Sequence, residues 1–167
     1  SENNTVAVKT TPLGRAISRK DRAKVLDLIE AGGLKLDNGL LARLIGEMDS
    51  ETYWEALDKV GELGPDALGL AVIAALQRSD PTFAQMLMME NPNVNLNMHN
   101  ANGVTALMVA TANGLIGFLQ YSLIGRVESL DAQDNGGYTA LVYAIMANNP
   151  ESMNLLIEGG ADLEIRD

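Results

Sequence analysis

The residues able to do chemistry are few. His99 is the single histidine and there is no cysteine. Thiolate metal sites, cysteine nucleophiles and disulfides are therefore excluded. Any Ser-His-Asp relay or imidazole metal site would have to be built around His99. Its neighbours, Met98-His99-Asn100, read as a turn tip, not as the strand-to-helix elbow that presents a nucleophile. The glycine pairs at 32–33, 136–137 and 159–160 lack the flanking lysine and the strand-to-helix context of a phosphate loop. Paired carboxylates could do acid–base work, but the acidic run Glu47, Asp49, Glu51, Glu55, Asp58, Glu62, Asp66 has the spacing of an exposed helix face. It reads as a solvated surface or as a docking patch for a basic partner. The expectation is a non-enzyme with no cofactor and no metal.

Charge narrows the partners. The net charge is −10, and it is uneven: residues 1–46 carry +3 and residues 47–167 carry −13. An acidic body lacks the basic face that attracts phosphate, so no nucleic acid is expected. The basic cluster Arg15, Arg19, Lys20, Arg22, Lys24 reads as a solvated helix end. No apolar stretch reaches the ~18 residues of a membrane span. The first residues, SENNTVAVKTT, lack the pattern of a secretory signal. No membrane association and a cytoplasmic location are expected.

The elements that would position a binding surface follow from internal repetition. Asn100-Ala-Asn-Gly-Val-Thr-Ala-Leu matches Asp134-Asn-Gly-Gly-Tyr-Thr-Ala-Leu, pairing Gly103 with Gly137, Thr105 with Thr139, Leu107 with Leu141 and Ala110 with Ala144 at an offset of 34. The junctions Leu96-Asn97, Leu130-Asp131 and Leu163-Glu164 align as well, and Thr11-Pro-Leu-Gly-Arg-Ala-Ile near the start matches Thr139-Ala-Leu-Val-Tyr-Ala-Ile. Gly103 and Gly137 fall where a turn needs positive φ or close approach. Thr105 and Thr139 fall where a hydroxyl caps the next helix. Ser50, and Ser79 or Asp80, are the candidate caps of two further helices, with Pro81 at a first helical position. Gly117 interrupts an otherwise helical pattern, which suggests close helix packing or a local break. Trp54, beside Leu57, and the run Met86-Leu-Met-Met89 read as core.

A turn and two helices repeating at this period resemble the ankyrin repeat family. The resemblance is strong over about 11–37 and 94–167 and weak between. It implies an all-α, ankyrin-like solenoid of about five stacked helix-turn-helix repeats with short hairpin-like loops. The expected organisation is a flexible tail at 1–10 and one domain at 11–167, with units at about 11–37, 38–64, 65–99, 100–133 and 134–167. Units two and three lack the threonine signature and the loop glycine, so their hairpin loops are expected to be shortened or missing. With aromatics at only 4%, stability must come from Leu, Ile, Ala, Val and Met packed between neighbouring units.

The family's function, as the resemblance implies, is protein recognition without chemistry. The surface is the concave one formed by turn tips and first helices. The residues expected there are His99, Asn102, Val104, Asn113, Gln133, Asn135, Tyr138, Met146 and Arg166, with Thr10, Ser18 and Arg19 matching in unit one. The favoured function is an adaptor or inhibitor binding one protein partner, and the alternative is a structural subunit of a larger multi-protein assembly. Val142, Ile145, Met153, Leu156 and Ile157 spread around both helices of the last unit, more widely than one buried face requires. Self-association or a partner contact is therefore expected at the C-terminal edge, 134–167.

Overall fold

The computed structural model describes residues 11–32, 38–61 and 63–164. The tail at 1–10, with Thr10, and the expected contact Arg166 lie outside them. Helices form at α1 (Pro12–Ser18), α2 (Arg22–Glu30), α3 (Asn38–Glu47), α4 (Ser50–Val60), α5 (Pro65–Gln77), α6 (Pro81–Glu90), α7 (Ala106–Ala112), α8 (Ile116–Phe118), α9 (Ala140–Met146) and α10 (Pro150–Glu158). α8 runs directly into a π-helical turn, Leu119–Leu123. Among the described residues extended pairing is limited to one isolated bridge, His99 with Thr105. The fold is the expected all-α solenoid.

Successive helices pack as antiparallel partners, and the pairs stack in two layers. α1, α3, α5, α7 and α9 follow one another in the first layer, and α2 packs on α4 in the second. The first layer is tight because its contact positions are small: Ala16, Ala71, Ala75, Ala110 and Ala144 are buried, with Leu13, Leu41, Leu44, Leu107 and Leu141 between them. Small residues let helix backbones approach while the leucines fill the grooves. The second layer uses side chains more. Tyr53 and Trp54 on α4 each place a ring centroid 4.9 Å from that of Phe83 on α6.

Caps explain where the helices begin. Thr11, Thr105 and Thr139 accept from the backbone N–H groups of Gly14, Met108 and Val142, as their position in the repeat requires. Asp80 caps α6 by accepting from Phe83. Ser50 is not the cap of α4. Asp49, extended at φ −72° and ψ 162°, accepts from Thr52 at 2.8 Å and leaves Ser50 as the first helical residue. Ser79 is not a cap either; at φ 58° it is the left-handed residue that ends α5.

Gly117 does not mark close packing. A Cβ there would meet nothing within 4 Å. The helix instead breaks into the π turn, closed by the Ile124 N–H donating to the Leu119 carbonyl at 2.8 Å. Trp54 is half-buried, as a core role predicts. The methionine run is not all core: Met88 is buried and Met89 is 73% exposed. The basic residues of the first unit are not simply solvated. Lys20 caps the Glu47 carbonyl, and Arg22 pairs with Glu55 on α4.

Candidate protein-binding surface

Two turn tips are built identically. Asn100 accepts the Asn102 and Val104 N–H groups on its Oδ1, and its own N–H donates to the Val104 carbonyl. Asp134 does the same for Gly136 and Tyr138. A short acceptor side chain closing a turn on its own backbone is the reason Asn and Asp hold these positions. Gly103 takes φ +77°, and a Cβ there would lie 2.6 Å from Asn135 Oδ1, so glycine is required twice over.

The tips are also bonded to each other. The Asn135 N–H donates to the Asn102 carbonyl and its Nδ2 to the Ala101 carbonyl, each at 3.0 Å. At the base of the loops, Asn97 accepts from the Glu128 N–H and Asp131 from the Asp162 N–H. This ladder fixes the tips as one ridge along the solenoid.

The expected contact residues fall along this ridge and the first-helix face. His99, Asn102, Gln133 and Asn135 are exposed. Gln133 donates to the Gly137 carbonyl. Val104 is half-buried and packs on the core. Asn113 is exposed and its Nδ2 donates to the Leu76 carbonyl, bridging to the preceding pair. Tyr138 is 44% exposed and Met146 60%. The Tyr138 ring meets Tyr143 edge-on at 6.2 Å, and the Tyr143 hydroxyl donates to Asp134. Burial and the neighbouring Asp134 carboxylate raise the Tyr143 pKa to about 12. The hydrogen bonds from Tyr143, Tyr138 and Gly136 hold the Asp134 carboxyl below its ordinary value.

Part of the surface was not legible by position. A trough of about 560 Å³ lies between the first-layer helices and the 99–102 tip. His99, Asn100, Ala101 and Asn102 form one wall; Gly39, Ala42 and Gly46 on α3, Leu70, Ile73, Ala74 and Gln77 on α5, and Arg78 just after it form the rest. The small residues recur along one face of α3, a spacing that would have pointed to an open helix face. Tyr138, Met146 and Asn113 are not part of its lining.

Among the described residues no helix is long and apolar enough to cross a membrane. The family model for ankyrin repeats (three copies) matches residues 71–167. The chain is 31% identical over 96 residues to ankyrin repeat and SAM domain-containing protein 6 of Mus musculus, and 30% identical over 96 residues to the Rattus norvegicus protein of the same name. Each match covers 57% of this chain and 11% of the relative, so the chain spans about a tenth of the curated relatives it matches. The threonine-capped first helices, the Asn/Asp-closed tips and the family match over 71–167 together establish that this chain belongs to the ankyrin repeat family, whose repeats are generally protein–protein interaction modules and typically non-enzymatic.

Proposed function

We propose that this chain is a non-enzymatic adaptor or inhibitor that binds a protein partner through the ridge of turn tips and the adjoining first-helix face. The observation that carries the reading is the 560 Å³ trough beside that ridge. It is floored by small and aliphatic side chains and walled by the polar side chains of Gln77, Arg78, His99 and Asn102. That mixture suits a partner segment that brings apolar anchors and a polar rim. His99 and Asn102 serve it directly. Gln133, Asn135, Tyr138, Met146 and Asn113 extend the contact along the ridge, and Tyr138 is the anchor type best suited to carry affinity. The units proposed are those read from the repeats, within one domain at 11–167, and the setting proposed is a cytoplasm.

A second reading, a structural subunit of a larger assembly, is favoured by the C-terminal edge. Ile145 is 57% exposed, Met146 60%, Ile157 44% and Leu163 64%. An exposed apolar surface of this kind suits contact with a neighbouring molecule.

The two readings separate in one series. A partner identified by affinity capture and mass spectrometry is titrated against wild type, Ala42→Glu with Tyr138→Ala, and Ile145→Ser with Ile157→Ser. The first reading requires affinity to fall at least about tenfold in the first variant and to be retained in the second. The reverse pattern, with folding intact in both, assigns the partner to the edge.

A further inference from the structure

A second groove lies in the other layer of the solenoid. It runs between α6 and the α8–π segment and holds about 830 Å³. Met86 and Met89 form one wall; Ile116, Phe118 and Tyr121 form the other. Met89 is 73% exposed and Tyr121 79%. The groove exists because the second helix of this pair is truncated. Gly117 contributes no side chain where a Cβ would meet nothing. The π turn then carries Ser122 down to bond Gln85 at 2.8 Å, closing the floor, while Tyr121 stays outside. Isolated π turns in otherwise α-helical segments concentrate at functional sites.

The shape and charge select an occupant. The exposed face of α6 is one helix of ten residues, about 15 Å long. A helix of about three turns laid alongside would present apolar side chains at i, i+3 or i+4, and i+7 to both walls. Methionine walls adapt to such side chains without a fixed shape. Among the described residues Glu90 is the charged residue lining the groove, and its lining holds no lysine or arginine. The whole chain carries −10. A second copy would therefore meet like charge, whereas a cationic segment would be steered in.

We propose that the groove between α6 and the α8–π segment is a docking site for an amphipathic helical segment of a partner protein, apolar on one face and basic at its flanks. It is separate from the trough on the first-helix layer, and neither site depends on the other.

The test uses fluorescein-labelled peptides of about 14 residues with leucine at helix-face spacing. One carries lysine at the remaining positions and the other glutamate. Binding to the whole chain is read by fluorescence anisotropy at low and physiological salt. The lysine peptide is expected to bind, and to weaken with salt. The glutamate peptide is expected to bind at least about tenfold more weakly. Met89→Ser with Tyr121→Ser, both at exposed positions, should weaken the lysine peptide at least about tenfold. Tyr138→Ala with Met146→Ala should leave it unchanged. A circular dichroism spectrum matching wild type checks folding, and Met89→Gln with Tyr121→Gln provides a second, milder variant. Absence of lysine-peptide binding, equal binding of both peptides, or retention in both groove variants overturns the proposal. So does loss on the Tyr138 and Met146 variant. Sedimentation showing a dimer that the groove variants convert to monomer would assign the groove to a second copy and overturn it likewise.

Discussion

Removing the Asp80 side chain should cost more than any other single change to a surface-reaching residue. Its two oxygens accept three bonds that join three parts of the second layer. Tyr53 Oη donates at 2.6 Å and Trp54 Nε1 at 3.2 Å, both from α4, and the Phe83 N–H donates at 3.1 Å from the first turn of α6. Loss of an N-cap costs about 1 kcal/mol. Tyr53 is 1% exposed, so its hydroxyl would lose a charged acceptor without ready access to water, which adds about 1.5–3 kcal/mol. Asp80→Ala is therefore expected to destabilise by about 3 kcal/mol. Asp80→Asn keeps a capping oxygen but cannot serve both sides, and should cost roughly half as much. The assay is urea unfolding followed by Trp54, the one tryptophan. Tyr53→Phe, run as the second arm of a double-mutant cycle, should couple to Asp80→Asn by more than about 0.5 kcal/mol. A cost below about 1 kcal/mol for Asp80→Ala, or additivity of the pair, would refute the account of Asp80 as the clamp between α4 and α6.

Titration of the same groups bounds stability at both ends of the pH range. Burial opposes the Asp80 charge, but the bonds from Tyr53, Trp54 and Phe83 outweigh it and hold its pKa below the ordinary value; Asp134 is lowered likewise. Their contributions are fully present above the unfolded carboxyl value of about 4 and vanish as pH falls through the lower folded values. Burial, with the Asp80 bond, pushes the Tyr53 pKa up, and Tyr143 reaches about 12. Those contributions persist below about pH 10 and are lost as pH rises through the folded values. Melting temperatures should thus be flat between about pH 5 and 9 and fall on both sides, with Asp80→Asn removing part of the acid limb. Two glycine replacements should have opposite signs. Gly69→Ala would place its Cβ 2.1 Å from the Asn95 carbonyl oxygen and cost about 2–3 kcal/mol; Gly117→Ala, with open space around it, should gain up to about 1 kcal/mol. Thr139→Ala removes the cap of α9 and should cost about 1 kcal/mol by the same unfolding assay.

The legible parts of the fold were those where one residue type answers one local need. Gly103, Thr105 and Ala110 could be read directly, because a left-handed turn, a cap and a close helix approach each admit few residues. They sit in chain order and repeat, so the two-layer stack followed. What escaped depended on contacts distant in sequence. Asp49 and Ser50 are both good caps, and only the extended backbone of Asp49 decides between them. Met88 and Met89 are alike in composition, yet one faces the core and the other solvent, because the helix phase is set by packing on α5 and α4. Gly69 gave no signal at all; its requirement comes from the Asn95 carbonyl in the loop after α6.

The same distinction governs the binding surfaces. Residues on the turn ridge could be named individually, since tips are where the repeat signature leaves positions free. The trough could not, because its walls come from α3, α5 and the 99–102 tip, which are distant in sequence. The tips at 100–105 and 134–139 bond to each other. The trough's helix faces carry Gly39, Ala42, Gly46 and Ala74, which contribute little side chain and leave it open. The outer groove has an equivalent origin: the second helix shortens at Gly117 and the space opens beside α6. In both layers, then, small residues on a helix leave the concavities open. A solenoid of uniform units would present a ridge but neither recess. Under the proposed function and the proposed groove, substitutions at Gly39, Ala42 and Gly46 or at Met89 and Tyr121 should change which partner is bound without changing the fold.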